Sequence, residues 1–277
     1  MRAWSDDHVG SGETKQSLLH MTLASLLTTQ RIGRDLRYVA ESVSTNRDIA
    51  ALAQTGAPEG VVVVADQQSA GRGRMTRVWF SPPGVNLYFS LLLRPMIEPG
   101  HAASLPLVAG LAVAEALEQT APACAPMIKW PNDILSGGRK LCGVLCEMQA
   151  ETGRVHHITL GIGVNVNLTC AMLPVELRER ATSLRIATGR DFSREAVLAA
   201  ILNAFEPLYD CWRVEGLEPL LPRLAQRDAL RGQEIEVDQA GTRLAGRADG
   251  ILPDGALRLV TPQGAVPVYS GEAHIGS

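Results

Sequence analysis

The sequence predicts an α/β domain followed by a small all-β barrel. Three observations carry this. Val61 to Ala65 is an unbroken apolar run of strand length, as in a strand covered on both faces. Leu105 to Gln119, and the series Leu198, Ile201, Leu202, Phe205, Leu208, Tyr209 and Trp212, repeat at helical spacing. From Gln233 onward short alternating segments separated by glycine-containing turns take over, enough for a barrel of roughly 45 residues.

Length and composition bound the rest. A chain of 277 residues, 46% hydrophobic, can bury one large core and a small one. The net charge of −3 gives no global attraction to nucleic acid or an anionic membrane, so any basic character is local. The five cysteines (124, 142, 146, 170 and 211) are odd in number and form no Cys-x-x-Cys pair, which fits a reducing, cytoplasmic setting. Cys142 and Cys146 share a strand face, and His156 or His157 opposite them offers an alternative zinc set. No uninterrupted apolar run approaches the roughly 20 residues of a membrane span.

In chain order, residues 1–15 are polar and expected to be mobile. Leu19, Leu23, Leu26 and Leu27 suggest a short helix, and Arg37 to Glu41 a first strand. Thr45 and Asp48 have the spacing of a capping box that opens a helix to about Gln54. The same hydroxyls and N–H groups of Ser44-Thr45-Asn46 also suit a small polar ligand. Asp66 to Phe80 is then a polar loop with Gly71, Gly73 and the forks of Arg72, Arg74 and Arg77, which together suit an anion such as phosphate. Thr76 stands where a third glycine would be needed for a dinucleotide fingerprint, and the loop is not a P-loop.

Asn86 to Leu93 alternates as a half-buried strand, and the amphipathic helix Leu105 to Gln119 ends before Pro122 and Pro126. Lys129-Trp130-Pro131-Asn132-Asp133 leaves a short strand, and Gly137-Gly138 turns into a strand from Leu141 to Gln149, so Lys140 sits at a strand start. Next, Ile158, Leu160, Ile162, Val164, Val166 and Leu168 share one parity, and Thr159, Gly161, Gly163, Asn165 and Asn167 the other. The second face is either a bulged strand or a surface for a flat ligand. Ser193 caps the last long helix, which Pro207 is expected to kink. The barrel strands are expected at 234–238, 242–248, 256–260 and 266–269.

Read together, Ser44-Thr45-Asn46, Gln68-x-x-Gly71-Arg72-Gly73-Arg74-x-x-Arg77-x-Trp79, Lys129-Trp130-Pro131-Asn132-Asp133, Gly138-Arg139-Lys140-x-x-Gly143 and Gly161-x-Gly163-x-Asn165 resemble the biotin protein ligases, in order over residues 36–273. The resemblance implies a mixed-sheet α/β catalytic domain related to lipoate ligases (21–228), an SH3-like C-terminal domain (229–277) and a mobile extension (1–20). It implies activation of biotin with ATP and Mg²⁺ to biotinyl-5′-AMP and transfer to one lysine of a biotin carboxyl carrier protein. By matching position, Lys140, Arg72 and Asp133 would be catalytic. Ser44, Thr45, Asn46, Gln68, Arg72, Gly73, Arg74, Lys140 and Gly143 would face biotin, and Arg72, Arg74, Trp79, Asn132, Lys140 and Asn165 the nucleotide. The metal ligands are not assigned, and homodimerisation is left open. Members with an N-terminal winged helix bind DNA; only about 40 residues precede Ser44 here, so no DNA partner is expected. A lipoate-type ligase of the same architecture is the near alternative, and a nucleic-acid-binding module the distant one.

The chemistry suits these residues. A carboxylate is ionised at pH 7 and needs no general base to attack phosphorus. Charge is the obstacle, and arginine forks, a lysine and Mg²⁺ offset it. The acceptor lysine must lose a proton, which Asp133 would take or orient, unless that carboxylate is only the ion-pair partner of Lys140 or a magnesium ligand.

Overall fold

The structure, a computed structural model, describes residues 23–151, 153–239 and 242–275. The expected mobile extension (1–20) and Leu19 of the first helix candidate lie outside them. Seven strands form one mixed sheet: β1 (Leu36–Ser42), β2 (Val62–Gln68), β3 (Leu87–Leu93), β4 (Met127–Lys129), β5 (Asp133–Ser136), β6 (Arg139–Glu151) and β7 (Arg154–Val164), in the order β1-β2-β3-β7-β6-β5-β4. Only β1 and β2 pair in parallel. A parallel pair needs a crossover, and helix α1 (Thr45–Gln54) supplies it.

The sheet is covered on both faces. Ile49 and Ala53 of α1 pack on Val61, Val63 and Leu92. On the opposite face lie α2 (Leu105–Thr120) and, against it, α4 (Arg194–Glu215); the one-turn α3 (Leu184–Thr188) precedes α4. This corrects the expectation for β3, whose seven residues are all buried rather than half of them. Leu87, Phe89, Leu91 and Leu93 face the α2 side, while Tyr88, Ser90 and Leu92 are covered from the α1 side. Double coverage also corrects the amphipathic expectation for α2, which is apolar almost all round. With the preceding turn it makes a 22-residue helical stretch, Pro99–Thr120, long and apolar enough to span a membrane, yet 72% of its apolar 18-residue window is buried inside the fold.

Two boundaries differ from the sequence reading. β2 runs on to Gln68, so the loop begins at residue 69. β7 ends at Val164 rather than 168; just past it the side-chain amides of Asn165 and Asn167 donate to the carbonyls of Thr182 and Phe192 at 2.9 Å. Ser193 accepts from the Ala196 N–H at 3.1 Å, as expected of a cap, and α4 runs unbroken through Pro207.

The short helix α5 (Leu221–Ala225) leads to a second, antiparallel sheet of β8 (Glu234–Gln239), β9 (Thr242–Ile251), β10 (Leu257–Thr261), β11 (Gly264–Val268) and β12 (Glu272–Ile275), ordered β11-β10-β9-β8-β12. Four of these five were expected. The additional strand, β12, pairs Ala273 with Val237 and Ile275 with Ile235. The sheets are tied together where Trp130 Nε1 donates to the Gly255 carbonyl at 3.0 Å.

Candidate active site

The floor of the site is the first turn of α1 lying on β3 and β7. Ser44 is the N-cap residue, but its hydroxyl makes no cap bond. The expected Thr45–Asp48 box is absent: Asp48 accepts instead from the Ser42 hydroxyl at 2.5 Å, and the Thr45 hydroxyl turns inward to Ser90 at 2.7 Å. Ser90 donates its one proton to Asn46 Oδ1 at 2.6 Å, so Thr45 is the donor to Ser90. Gln68 Oε1 accepts the Thr45 backbone N–H at 3.0 Å, and its amide donates to Ser81 at 3.1 Å. Asn46 Nδ2 donates to Glu147 at 2.8 Å. Asn46 lies so close to the backbone of Gly161 that a Cβ there would overlap its Oδ1. Glycine at 161 is what lets the amide rest on the sheet.

The arginine loop forms one wall. It folds back on itself through Gly73 N to Arg77 O, 2.7 Å, and Trp79 N to Gly71 O, 2.9 Å. Its tip holds Met75 and Thr76 at φ of +53° and +65°, a left-handed conformation that costs a non-glycine residue roughly 1–2 kcal/mol. The loop and Leu145 enclose a concavity of about 510 Å³. All three of its guanidinium groups are engaged within the protein. Arg72 pairs with Glu147 at 2.7 Å, Arg74 donates to Asn132 Oδ1 at 3.1 Å and to the Gly271 carbonyl at 3.4 Å, and Arg77 pairs with Glu272 of β12. Burial lowers the pKa of Arg74, against the raising influence of Asp133 and Glu272.

The remaining wall is β6 with β7. Gly143 and Gly163 are register partners, and the flat object lying over them is the Trp79 ring. A Cβ at Gly163 would come within 2.6 Å of the indole, and one at Gly143 within 2.9 Å. The indole N–H is buried and, among the described residues, has no hydrogen-bond acceptor, an unsatisfied donor of the kind that marks functional sites. Lys140 Nζ stands 5.4 Å from the same ring centroid and 2.7 Å from Asp133 Oδ1. Asn132 is fixed by donating to the Val144 carbonyl at 2.6 Å.

Most of the residues singled out in the sequence therefore converge. Ser44, Thr45, Asn46 and Gln68 form one polar end, and Lys140, Asp133, Asn132, Gly143 and Trp79 the other, with Arg72, Gly73 and Arg74 between. Asn165 differs: its amide is spent on the Thr182 carbonyl at 2.9 Å and on Asn86 at 3.3 Å. Cys142 is buried and Cys146 half-buried, with thiols pushed up by burial, that of Cys146 to about 12. His157 pairs in register with Gln149, beyond Cys146, and among the described residues no three metal-ligating side chains cluster.

Sequence reasoning missed Ser81, Ser90, Glu147 and Glu272. It also missed residues 180–182, which run beside Lys140 through Lys140 N to Arg180 O, 2.8 Å, and Thr182 N to Lys140 O, 2.9 Å. Glu147 shares the strand parity of Gly143, a signal that was available. Glu272 carries none.

The model of the biotin/lipoate A/B protein ligase family matches residues 39–165. The bifunctional ligase/repressor BirA of Bacillus subtilis (strain 168) is 40% identical over 251 residues, 90% of this chain and 77% of that protein. The chain belongs to the family. The biotin–[acetyl-CoA-carboxylase] ligase of Paracoccus denitrificans is 34% identical, over 86% of this chain and 99% of its own length. Among solved structures, the biotin protein ligase of Aquifex aeolicus in complex with biotin and ATP superposes with a TM-score of 0.75 at 30% identity, covering 88% of this chain and 99% of that one. The family match takes in α1, the arginine loop and β5 to β7, and stops short of residues 180–182 and Glu272.

Proposed function

We propose that the protein is a biotin protein ligase, which joins biotin to ATP to give biotinyl-5′-AMP and then transfers biotin to a lysine of a biotin carboxyl carrier protein. The observation that carries this reading is the site itself: a buried amide and hydroxyl end for an uncharged ring, and a lysine and arginine end for phosphates, in a chain similar over 88% of its length to a ligase solved with biotin and ATP. Ser44, Thr45, Asn46 and Gln68 hold the biotin ring. Arg72, Arg74 and Lys140 receive the carboxylate and the phosphates, and Trp79 and Asn132 border the nucleotide.

In the first step a biotin carboxylate oxygen bonds to the α-phosphorus and the bond to the β-phosphate oxygen breaks, releasing pyrophosphate. Two anions must meet, so the work of the chain is to supply fixed positive charge where negative charge gathers. Lys140 suits the bridging role because a compact ammonium faces two oxygens at once. Magnesium, when bound, shields the triphosphate. The donor set fits it: Asp133 is the carboxylate beside Lys140, and Mg²⁺ is commonly held by one or two carboxylates plus substrate phosphates.

In the second step the acceptor amine nitrogen bonds to the acyl carbon, AMP leaves and the ammonium proton is lost. Asp133, held at 2.7 Å by Lys140, is an ion-pair partner first and orients that proton second. The protein carries no DNA-binding role in this reading, in keeping with its net charge of −3.

Mass spectrometry of the small molecule formed from biotin, ATP and Mg²⁺, with lipoate in a parallel reaction, tests the assignment. Biotinyl-5′-AMP is expected. Lipoyl-AMP alone would assign the site to the lipoate branch of the family, and no adenylate of either kind would remove the ligase reading.

A further inference from the structure

In the proposed function Arg72 acts on the substrate, yet its guanidinium is already held in two-point geometry by Glu147. Nη2 lies 2.7 Å from Oε1, and Nη1 donates to Oε2 at 3.2 Å. Oε2 also accepts from Asn46 Nδ2 at 2.8 Å. One carboxylate, on the same face of β6 as Gly143, thus joins the arginine loop to the first turn of α1.

The two attachments are unequal. Asn46 is 5% exposed, is gripped from behind by Ser90 at 2.6 Å, and rests on Gly161. The Arg72 side chain is 48% exposed, and among the described residues its guanidinium has no partner other than Glu147. Asn46 is therefore the fixed end and Arg72 the end that can leave. A carboxylate and a phosphate present the same pair of acceptor oxygens to an arginine fork.

We infer that Glu147 is a built-in stand-in for substrate phosphate, a positioning residue that holds Arg72 before nucleotide binds and yields it when the triphosphate arrives. The inference rests on the ATP-dependent reading above and deepens it. Its consequence runs against ordinary expectation for a residue of a binding site: triphosphate must displace Glu147, so removing the carboxylate tightens triphosphate binding. A pair this exposed is weak, which sets the expected gain at about two- to fivefold. Asn46 keeps its place during the exchange, because Oε2 stays with its amide when Arg72 departs.

The test is a titration at low ionic strength, with saturating biotin and Mg²⁺, using the ATP analogue that has a methylene bridge between the α- and β-phosphorus atoms. Glu147→Gln keeps an acceptor for Asn46 and removes the charge that holds Arg72; it should bind the analogue about two- to fivefold more tightly than wild type. Glu147→Ala, which adds no new donor, should gain similarly. In an Arg72→Gln background the gain should vanish, since there is no longer a guanidinium to release. Equal gains in both backgrounds would mean a diffuse effect of charge and overturn the inference, as would unchanged or weaker binding by both Glu147 variants. Failure of the wild-type protein to bind the analogue at all would overturn the nucleotide reading along with it.

Discussion

Arg77, on the arginine loop, and Glu272, on the last strand of the barrel, form an ion pair across 195 residues of chain, with Nη1 donating to Oε1 at 2.7 Å. Arg74 reaches the adjacent Gly271 carbonyl, so the barrel holds the loop at two points. Hydrogen bonding to Arg77 is the main cause keeping Glu272 below the usual carboxylate range. Exposed pairs of this kind contribute only about 0.2–1 kcal/mol, so the effect is local. Glu272→Ala should leave the melting temperature nearly unchanged while speeding tryptic cleavage after Arg74 or Arg77. Cleavage at the wild-type rate, read by mass spectrometry of the fragments, would show that the barrel does not restrain the loop.

Lys140→Met should abolish adenylate formation with the fold intact. Lys140 is the second residue of β6, beside the Gly137-Gly138 turn, and among the described residues its side chain serves only Asp133 and the Trp79 face. Loss of a preorganised charge in the site predicts at least a roughly 100-fold fall in biotin-dependent pyrophosphate exchange. Exchange at a normal rate would remove Lys140 from the mechanism.

Arg74→Gly should turn the enzyme promiscuous. Arg74 is a bridge between Asn132 and Gly271, not a solvated charge. If it also grips the adenylate phosphate, losing one charge-assisted contact of roughly 1.5–3 kcal/mol loosens retention by about one to two orders of magnitude. Lys140 and Arg72 remain to make the anhydride, so escaping adenylate should label bystander lysines. Incubation with biotin, ATP and excess serum albumin, probed with streptavidin, should show albumin labelling well above wild type; background labelling by both proteins counts against the clamp.

Gly161→Ala should weaken biotin binding. The new methyl overlaps Asn46 Oδ1, and moving that amide disturbs its bonds to Ser90 and Glu147. Losing one buried hydrogen bond, about 1–1.5 kcal/mol, corresponds to a fall of about five- to tenfold in biotin affinity. Calorimetric titration of biotin checks this, and an unchanged affinity would take Asn46 out of the biotin site.

The Glu206 carboxylate predicts a pH dependence of stability. Burial pushes its pKa up, but the N–H groups of Ile32, Gln30 and Arg31, with the Arg31 charge, outweigh burial and hold it below the usual value. A depressed folded pKa means the stabilisation is complete above the unfolded value, near 4.3, and is lost as pH falls through the folded one. Glu206→Gln should therefore melt below wild type at pH 7, with the gap closing under about pH 4. A gap that is constant with pH would assign the loss to packing.

Much of this protein was determined by local sequence. Apolar pattern set the central strands and both long helices: an unbroken run of strand length marks a strand covered on both faces, as at Val61 to Ala65, and helical spacing marks α4. Ser44 to Asn46, the arginine loop and Lys140 to Gly143 were legible for a related reason: each brings its chemistry within a few consecutive residues. Tertiary structure alone decided where those groups point. Thr45 and Asp48 have the spacing of a cap, but a hydroxyl chooses between its own helix and a neighbouring strand, and Ser90 of β3 wins. The glycine face of β7 was consistent with a flat ligand, yet the ring on it comes from Trp79 of the chain itself. Asn46 with Glu147, and Arg77 with Glu272, join residues 101 and 195 positions apart. A polar contact between remote segments has no period, so nothing in either segment announces it, and it exists only once the strands have taken their register.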